Sequence, residues 1–313
     1  MLTLLSKTPA SWQSWLVATT PSAYELAKDI ILPLTLAALA AFVAWWIFII
    51  ETKRDKKKEI KLERQQERDK LSYFSIMIRT IIDDVEYQNN ALKEFSDQIS
   101  IDPLQIPMMT YLSLNNLRRI TFDLDLEKYL LAYVSYFDRD RQQAVREFNT
   151  MSGSLDVLFE IFKSLPEQLE KSHGYDHSRK EKFQEIQTTA HNLLGPLTIR
   201  LQTTAPAVAN ELGAIGLKFF SAAASPYDLK LYYDLFFVPF NKFATKYVGR
   251  GMAEDALIAE LATLTRDGKQ VYLQIIQENK AIAQNFLDQV NTITDAIADL
   301  KEASSRLNEN FTN

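Results

Sequence analysis

The chain contains no cysteine and only eight glycines among its 313 residues. The lack of cysteine excludes disulfides, thiolate zinc sites, iron–sulfur clusters and thiol nucleophiles. The scarcity of glycine argues against Rossmann-type and all-β folds, which depend on tight turns and close backbone approaches. Strand signals are nearly absent, because no segment alternates convincingly and no Asn-Gly or Asp-Gly pair bridges two β-rich segments. The composition therefore predicts an all-α protein.

Recognisable catalytic motifs are also missing. The sequence carries no P-loop, no Gly-x-Ser-x-Gly elbow, no His-Glu-x-x-His motif and no kinase signature. We predict no catalytic residue, no cofactor and no enzymatic activity. The one histidine cluster, His173-Gly-Tyr-Asp-His177, is interpreted as an exposed loop over residues 172–178, where the two imidazoles would not share one helix face. A metalloenzyme that uses His173 and His177 is therefore the weakest functional hypothesis.

Residues 30–50 form an apolar run of 21 residues without a charge. A helix of this length rises about 31 Å, which matches the hydrocarbon core of a bilayer. We predict a single transmembrane helix at residues 30–50, preceded by a short extracytoplasmic tail, residues 1–29. Two alternatives stay open: a signal peptide cleaved after Ala38-Leu39-Ala40, and an apolar helix buried in a protein core.

Basic residues are concentrated directly after this run. Residues 51–70 carry a net charge of +3, whereas residues 71–313 carry a net charge of −8. This asymmetry predicts a single-pass protein of the cell membrane, with its N-terminus outside and its C-terminal domain in the cytoplasm. The acidic domain is a poor surface for nucleic acid, so no nucleic-acid partner is expected. The bases that we predict to contact the membrane surface or a partner are Lys53, Arg54, Lys56, Lys57 and Lys58.

Residues 51–70 are predicted to form a charged juxtamembrane stalk, and residues 71–313 a cytoplasmic helical bundle. In the stalk only Ile60 and Leu62 are apolar. Beyond it, apolar residues at spacings of three and four define three coiled-coil-like heptad seams, which predict an elongated bundle. The seams are Leu71, Phe74, Ile78, Ile81, Val85, Leu92, Phe95 and Ile99; Ala144, Phe148, Met151, Leu155, Leu158, Phe162, Leu165 and Leu169; and Tyr272, Ile276, Ala283, Phe286, Val290, Ile293, Ile297, Leu300, Leu307 and Phe311.

The seams have two interpretations, because they can pack on one another within one chain or pair with other copies. The last seam runs longest, so it is the best candidate for self-association, with Asn279 as a polar step that can set the register. The seam residues that we predict to mediate contacts between copies are Phe286, Ile293, Ile297, Leu300 and Leu307. Gln88 is the polar interruption of the first seam.

Residues 226–248 predict an unusually aromatic helix. Ser225 and Pro226 have the chemistry of an N-cap and a first helical position. Three bases, Lys242, Lys246 and Arg250, follow at a spacing of four. We interpret the helix as a core element kinked at Pro239 with a solvated basic edge; the alternative is a helix that docks on the membrane surface or on a partner.

These patterns support three functional hypotheses. The first is a membrane-anchored, non-enzymatic scaffold or adaptor that acts through protein–protein interactions, with the lipid bilayer, a homo-oligomer and a further protein as partners. The second is a membrane-acting effector or signalling protein, as in abortive infection, in which rearrangement of the bundle is transmitted to the transmembrane helix. The third is the metalloenzyme at the histidine cluster.

Overall fold

The computed structural model describes Tyr24, residues 27–222 and residues 228–311. These residues contain helices, turns and loops and no strand, which confirms the all-α prediction. The predicted tail, residues 1–29, lies mostly outside the described residues. The chain divides into two compact units, the first ending at Glu67 and the second beginning at Arg68.

The first unit contains a π-helical turn, Ala27–Ile31, and the beginning of α1, a helix that runs from Leu32 to Ile101. Its apolar part reaches a mean hydropathy of 2.3 over an 18-residue window, and none of that window is buried. It is the one helix of the described residues long and apolar enough to cross a membrane. The stalk residues of this unit continue the same helix and stay largely exposed.

The second unit is built on three long helices. They are the C-terminal part of α1, then α4 (Arg141–Thr204) and α8 (Asp255–Phe311). Shorter helices complete it: α2 (Asn115–Arg118), α3 (Leu126–Tyr136), α5 (Pro206–Ser221), α6 (Leu229–Tyr232) and α7 (Val238–Tyr247). A π-helical turn, Arg119–Asp123, follows α2, a 3-10 turn, Asp138–Asp140, precedes α4, and a second π-helical turn, Tyr233–Phe237, joins α6 to α7.

Hydrogen bonds fix the register between α1 and α8, which run antiparallel. Ser75 Oγ donates to Asn308 Oδ1 at 2.8 Å, and Ser96 Oγ donates to the Ala283 carbonyl at 2.7 Å. Helix α4 is parallel to α1, since Phe74 stacks on Phe148 at 5.6 Å between ring centroids and Phe95 contacts His173 further along both helices. The second unit is thus a helical bundle in which α8 runs antiparallel to the other two long helices, α1 and α4.

Two separate apolar cores fill this unit. The first lies among α1, α2, α3, the N-terminal part of α4 and the C-terminal part of α8. The second lies among the C-terminal part of α4, helices α5 to α7 and the N-terminal part of α8. All residues of the first and second predicted seams are buried in the first core, and the third seam is buried except for half-buried Ile276. Helices α4 and α8 therefore belong to both cores.

The polar step Gln88 has a structural role that the heptad pattern did not predict. Its side chain is fully buried, its Oε1 accepts from the Leu112 backbone N–H at 2.9 Å, and its Nε2 donates to the Thr110 carbonyl at 3.3 Å. One amide thus satisfies two backbone groups of the loop that leaves α1 after Ile101. Buried backbone groups need such partners, because leaving them unpaired is costly.

Two local predictions were wrong. Residues 172–178 are not a loop but part of α4, where buried Ser172 donates its hydroxyl to the Gln168 carbonyl at 2.8 Å. Helix α4 also continues through Gly195 and Pro196, where the buried leucines Leu197 and Leu201 hold it against the core despite the cost of a proline inside a helix. The aromatic helix starts at Leu229 with Asp228 as its cap, while Ser225 and Pro226 lie outside the described residues.

Candidate functional site: a buried polar layer and an exposed basic helix face

A cluster of polar side chains separates the two apolar cores of the second unit. We call it the polar layer; it consists of Asp176, Arg179, Lys180, Glu278 and Asn279. Asn279 on α8 is fully buried, and Asp176 on α4 is 7% exposed. The first core ends near Leu169 and Ala283, and the second begins at Phe183 and Ile275, so the layer occupies the interval between them. The polar layer therefore interrupts the apolar packing along α4 and α8, the two helices that contribute to both cores.

Asn279 is the centre of the polar layer. Its Nδ2 donates to Asp176 Oδ1 and to the carbonyl of Pro103, both at 2.8 Å. Its Oδ1 accepts from the Arg179 guanidinium at 3.5 Å. One side chain thus ties α8 to α4 and to the loop after α1, and this loop would otherwise bury an unsatisfied carbonyl. These contacts within one chain explain the polarity of Asn279 without the contacts between copies that the heptad pattern suggested.

Charges around the layer are paired. Lys180 Nζ lies 2.6 Å from Asp176 Oδ2, and Arg179 forms an ion pair with Glu278. Burial lowers the pKa of the Arg179 guanidinium from its ordinary value, and the charge of Asp176 opposes that shift. A buried carboxylate needs both a counter-ion and hydrogen bonds, and Lys180 and Asn279 supply one of each to the two oxygens of Asp176.

A groove of about 630 Å³ adjoins the layer through Lys180. Two acids, Asp102 and Asp228, and two bases, Lys180 and Lys230, are among its lining residues. These charges are already engaged: Asp228 caps α6 by accepting from the Leu231 N–H at 2.9 Å, and Lys230 pairs with Asp234. The groove therefore presents no net charge and no free charged group of one sign that would select an ionic ligand.

The two clustered histidines, His173 and His177, lie on a helix and not in the predicted loop. His173 and His177 lie one turn apart on α4, a spacing that does place two imidazoles on one helix face. His173 contacts the Phe95 ring, and His177 Nε2 lies 3.2 Å from Glu181 Oε1 at the surface. Across the part of the chain that the structure describes, no group of three His, Cys, Asp or Glu side chains could hold a metal ion.

The third histidine, His191, occupies an aromatic pocket that sequence reasoning missed. Its ring packs against Phe219, Phe220, Tyr232 and Phe236, the last at 4.5 Å between centroids. Burial lowers the pKa of the imidazole below its ordinary value, which favours the neutral ring. The aromatic residues came from distant helices, so only the unusual aromatic density of residues 226–248 could have hinted at this pocket.

The aromatic helix is a core element. Tyr232, Phe236, Phe237, Phe240 and Phe243 are all buried in the second core. The distortion predicted at Pro239 takes the form of the π-helical turn Tyr233–Phe237, just before a residue that cannot donate a backbone hydrogen bond. The aromatic face is therefore not available for docking.

The three predicted bases beside this helix have partners within the chain or lie at the surface. Lys246 Nζ lies 2.7 Å from Glu211 Oε2, a contact that raises the pKa of the lysine and lowers that of the carboxylate. Arg250 lies over the Tyr247 ring beyond the helix end, where Gly249 adopts a φ of 74° as a helix stop. Lys242 is exposed. The structure does not bring the three together into one binding site.

The predicted self-association residues are buried inside a single chain. Phe286, Ile293, Ile297, Leu300 and Leu307 are between 0% and 6% exposed in the first core. Contacts between copies through these side chains would require the first core to open and expose its apolar residues to water. Self-association through them stays a prediction. A surface for contacts between copies is better sought among exposed residues.

The juxtamembrane bases form an exposed helix face in the first unit. Lys53, Arg54, Lys57, Lys58 and Lys61 line a shallow groove of about 470 Å³ together with Ile50. Four of these five were predicted as contact residues; Lys56, the fifth predicted base, is exposed but is not part of this groove. Lys61 also lines this groove, although it is not among the predicted contact residues.

Comparisons with known proteins add no functional information. A scan against protein-family models gave no match, and searches of curated proteins and of solved structures gave none either. Function must therefore be argued from the residues and geometry described above.

Proposed function

We propose that the chain is a membrane-anchored, non-enzymatic helical scaffold or adaptor that acts as an assembly of several copies. The observation that carries the proposal is the run at residues 30–50. It is uncharged and helical, and its most apolar window is wholly exposed. An exposed helix of such hydropathy is unfavourable in water, at about 25 cal/mol for each Å² of apolar surface. A bilayer core of about 30 Å removes that cost.

Two observations bear on the alternatives for this helix, a core helix of a soluble protein and a cleaved signal peptide. A core helix of a soluble protein buries its apolar faces, whereas none of this window is buried. The apolar run of a signal peptide ends near its cleavage site, whereas this run continues for ten residues past Ala40. Both features support the transmembrane interpretation, with the basic residues 53–58 on the cytoplasmic side.

The second unit supports a role in interactions rather than in chemistry. The ionisable groups of its polar layer pair with one another, the groove beside that layer carries mixed charge, and its histidines lie in separate environments. A membrane anchor confines such a domain to a thin layer, which raises its effective concentration for partners in the same membrane. The proposed mechanism is therefore local concentration of bound proteins at the cytoplasmic face.

The experiment that tests the scaffold is chemical cross-linking of the full-length chain in its native membranes. We expect one discrete oligomeric species, whose size does not increase with the concentration of cross-linker. A strict monomer at every cross-linker concentration would contradict the proposal. Solubilisation in mild detergent followed by the same cross-linking is the control for random collisions in a crowded membrane, since these are lost on dilution.

A second candidate function, the membrane-acting effector, is favoured by the polar layer. Two cores that are packed separately on the shared helices α4 and α8 can rearrange at the level between them, where apolar contacts are few. Overexpression should then collapse the membrane potential, and a chain lacking residues 1–50 should not do so. An unchanged potential on overexpression would leave the scaffold as the better proposal.

A further inference from the structure

The stalk segregates its charges to opposite sides of the helix. Between residues 51 and 64, the four acids Glu51, Asp55, Glu59 and Glu63 follow at intervals of four residues, and all four are exposed. At about 100° per residue they occupy a sector about 120° wide. We call this the acidic face. An exposed ion pair at its edge, Asp55 with Lys58 at 3.8 Å, marks the border with the basic side.

Six of the seven bases between residues 51 and 64 occupy a different sector. On the same helical projection these six lie within a sector about 140° wide, about 20° from the acids on one side and about 80° on the other. The structure shows five of them, with Ile50, along one groove of this helix. We call these residues the basic face: Lys53, Arg54, Lys57, Lys58, Lys61 and Arg64. Lys56 alone falls between the two faces on the far side.

Lipid headgroups account for only part of this pattern. Arg64 lies 14 residues beyond Ile50, about 21 Å along the helix, and Lys61 about 16 Å. The headgroup region is about 5–7 Å deep, and the Debye length at physiological ionic strength is about 8 Å. Attraction to anionic lipid thus reaches Lys53 and its neighbours but fades before Lys61 and Arg64. It also gives no reason for an ordered acidic face.

We propose that the two faces dock on each other between neighbouring copies of this chain, so that the acidic face of one stalk packs beside the basic face of the next. This inference rests on the proposed membrane anchor, because the anchor makes the copies parallel and holds their stalks at one height. Glu51 to Glu63 of one copy then stands level with Lys53 to Arg64 of its neighbour. Like faces repel, so acid-to-base contact is the arrangement that the charges favour.

The experiment measures energy transfer between donor-labelled and acceptor-labelled full-length chains in vesicles of neutral phosphatidylcholine. The label is carried by a single introduced cysteine, Glu302→Cys, which is unique because the natural chain has none. One variant makes the stalk basic on both faces: Asp55→Lys, Glu59→Lys and Glu63→Lys. The matched variant reverses three bases of the basic face and so removes its net positive charge: Lys57→Glu, Lys61→Glu and Arg64→Glu. Lys53, Arg54, Lys56 and Lys58 stay in place to preserve the orientation in the membrane.

We expect each variant alone to lose self-association by about tenfold or more, because three attractive contacts become repulsive. Mixing the two variants should restore energy transfer, since an acidic stalk then meets a basic one. Raising the salt to about 1 M, where the Debye length is about 3 Å, should weaken the association of the natural chain. Energy transfer that stays at the natural level in both variants would overturn the inference while leaving the proposed oligomer intact.

Other outcomes are equally decisive. If energy transfer falls only in the variant with Lys57→Glu, Lys61→Glu and Arg64→Glu, and only in vesicles that contain anionic lipid, the basic face binds lipid headgroups and the inference is wrong. If the natural chain shows no energy transfer above that of random mixing, the proposed oligomer fails together with the inference. A chain with all six substitutions serves as the control for folding and insertion, because its net charge is unchanged while the six substituted positions exchange sign.

Discussion

Two arginines at the centre of the apolar run, Leu39→Arg with Val43→Arg, are expected to abolish membrane anchoring. Arginine at the centre of a transmembrane helix costs about 2.5–3.5 kcal/mol on insertion scales. Two such residues shift the insertion equilibrium by about three to five orders of magnitude, since about 1.4 kcal/mol is a factor of ten. The measurement is the share of the full-length chain that stays in the membrane pellet after extraction with alkaline carbonate.

Two controls separate insertion from other effects of these changes. Leu39→Ile with Val43→Leu alters the same positions at nearly constant hydropathy, and should leave the chain in the pellet. Leu62→Arg adds a base to an exposed stalk position, and should also have little effect. If the double-arginine chain resists extraction as the natural chain does, the run is not the anchor. The intact mass of the natural chain should also include residues 1–40, which cleavage of a signal peptide after Ala40 would remove.

The second large effect is expected in the polar layer. Asp176→Leu removes the acceptor for Asn279 Nδ2 and the counter-ion of Lys180, in a site where Asp176 is 7% exposed. Leaving a buried donor and a partly buried charge without partners should lower the free energy of unfolding by about 2–4 kcal/mol. Asn279→Leu should cost a similar amount, because the Pro103 carbonyl and Asp176 both lose their donor. Urea unfolding of the detergent-solubilised chain, followed by circular dichroism, measures both.

The double variant distinguishes a coupled layer from two independent losses. Asp176→Leu with Asn279→Leu should cost less than the sum of the single changes by about 0.5–3 kcal/mol, since the two side chains bond each other. Hydrogen exchange should increase in residues 104–113 when Asn279 is changed, because the loop loses its tie to α8. Glu160→Ala on exposed α4 surface is the control and should change stability by less than about 0.5 kcal/mol. Single changes as mild as this control would contradict the structural role of the layer.

Much of the bundle could be predicted because burial follows helical periodicity. Residues such as Leu71, Val85 and Leu158 recur at spacings of three and four, and such residues share one helix face whichever partner covers it. The identity of the partner does not follow from periodicity. The last seam was therefore assigned to contacts between copies, whereas the structure covers it with α1 and α4 of the same chain.

Other features could not be predicted because they depend on contacts between distant segments. Gly174 and the neighbouring polar residues suggested a loop, yet α4 continues there because Asp176 bonds Asn279, 103 residues away. Gln88 looked like a defect in a seam, and only the return of the chain at Leu112 explains it. The residues next to Asp176 or Gln88 in the sequence do not indicate which distant residue each of them contacts. The charge pattern of the stalk is different, since its two faces can be read from residue spacing alone.

The most direct test of the membrane-anchored account is the labelling of single introduced cysteines in intact cells by a membrane-impermeant maleimide. Ser6→Cys reports on the tail, and Glu302→Cys reports on exposed α8 surface in the second unit. We predict that the reagent labels the chain carrying Ser6→Cys in intact cells and labels the chain carrying Glu302→Cys only after the membrane is permeabilised. Equal labelling of both positions in intact cells, or protection of both until permeabilisation, would contradict a single crossing with the helical domain in the cytoplasm.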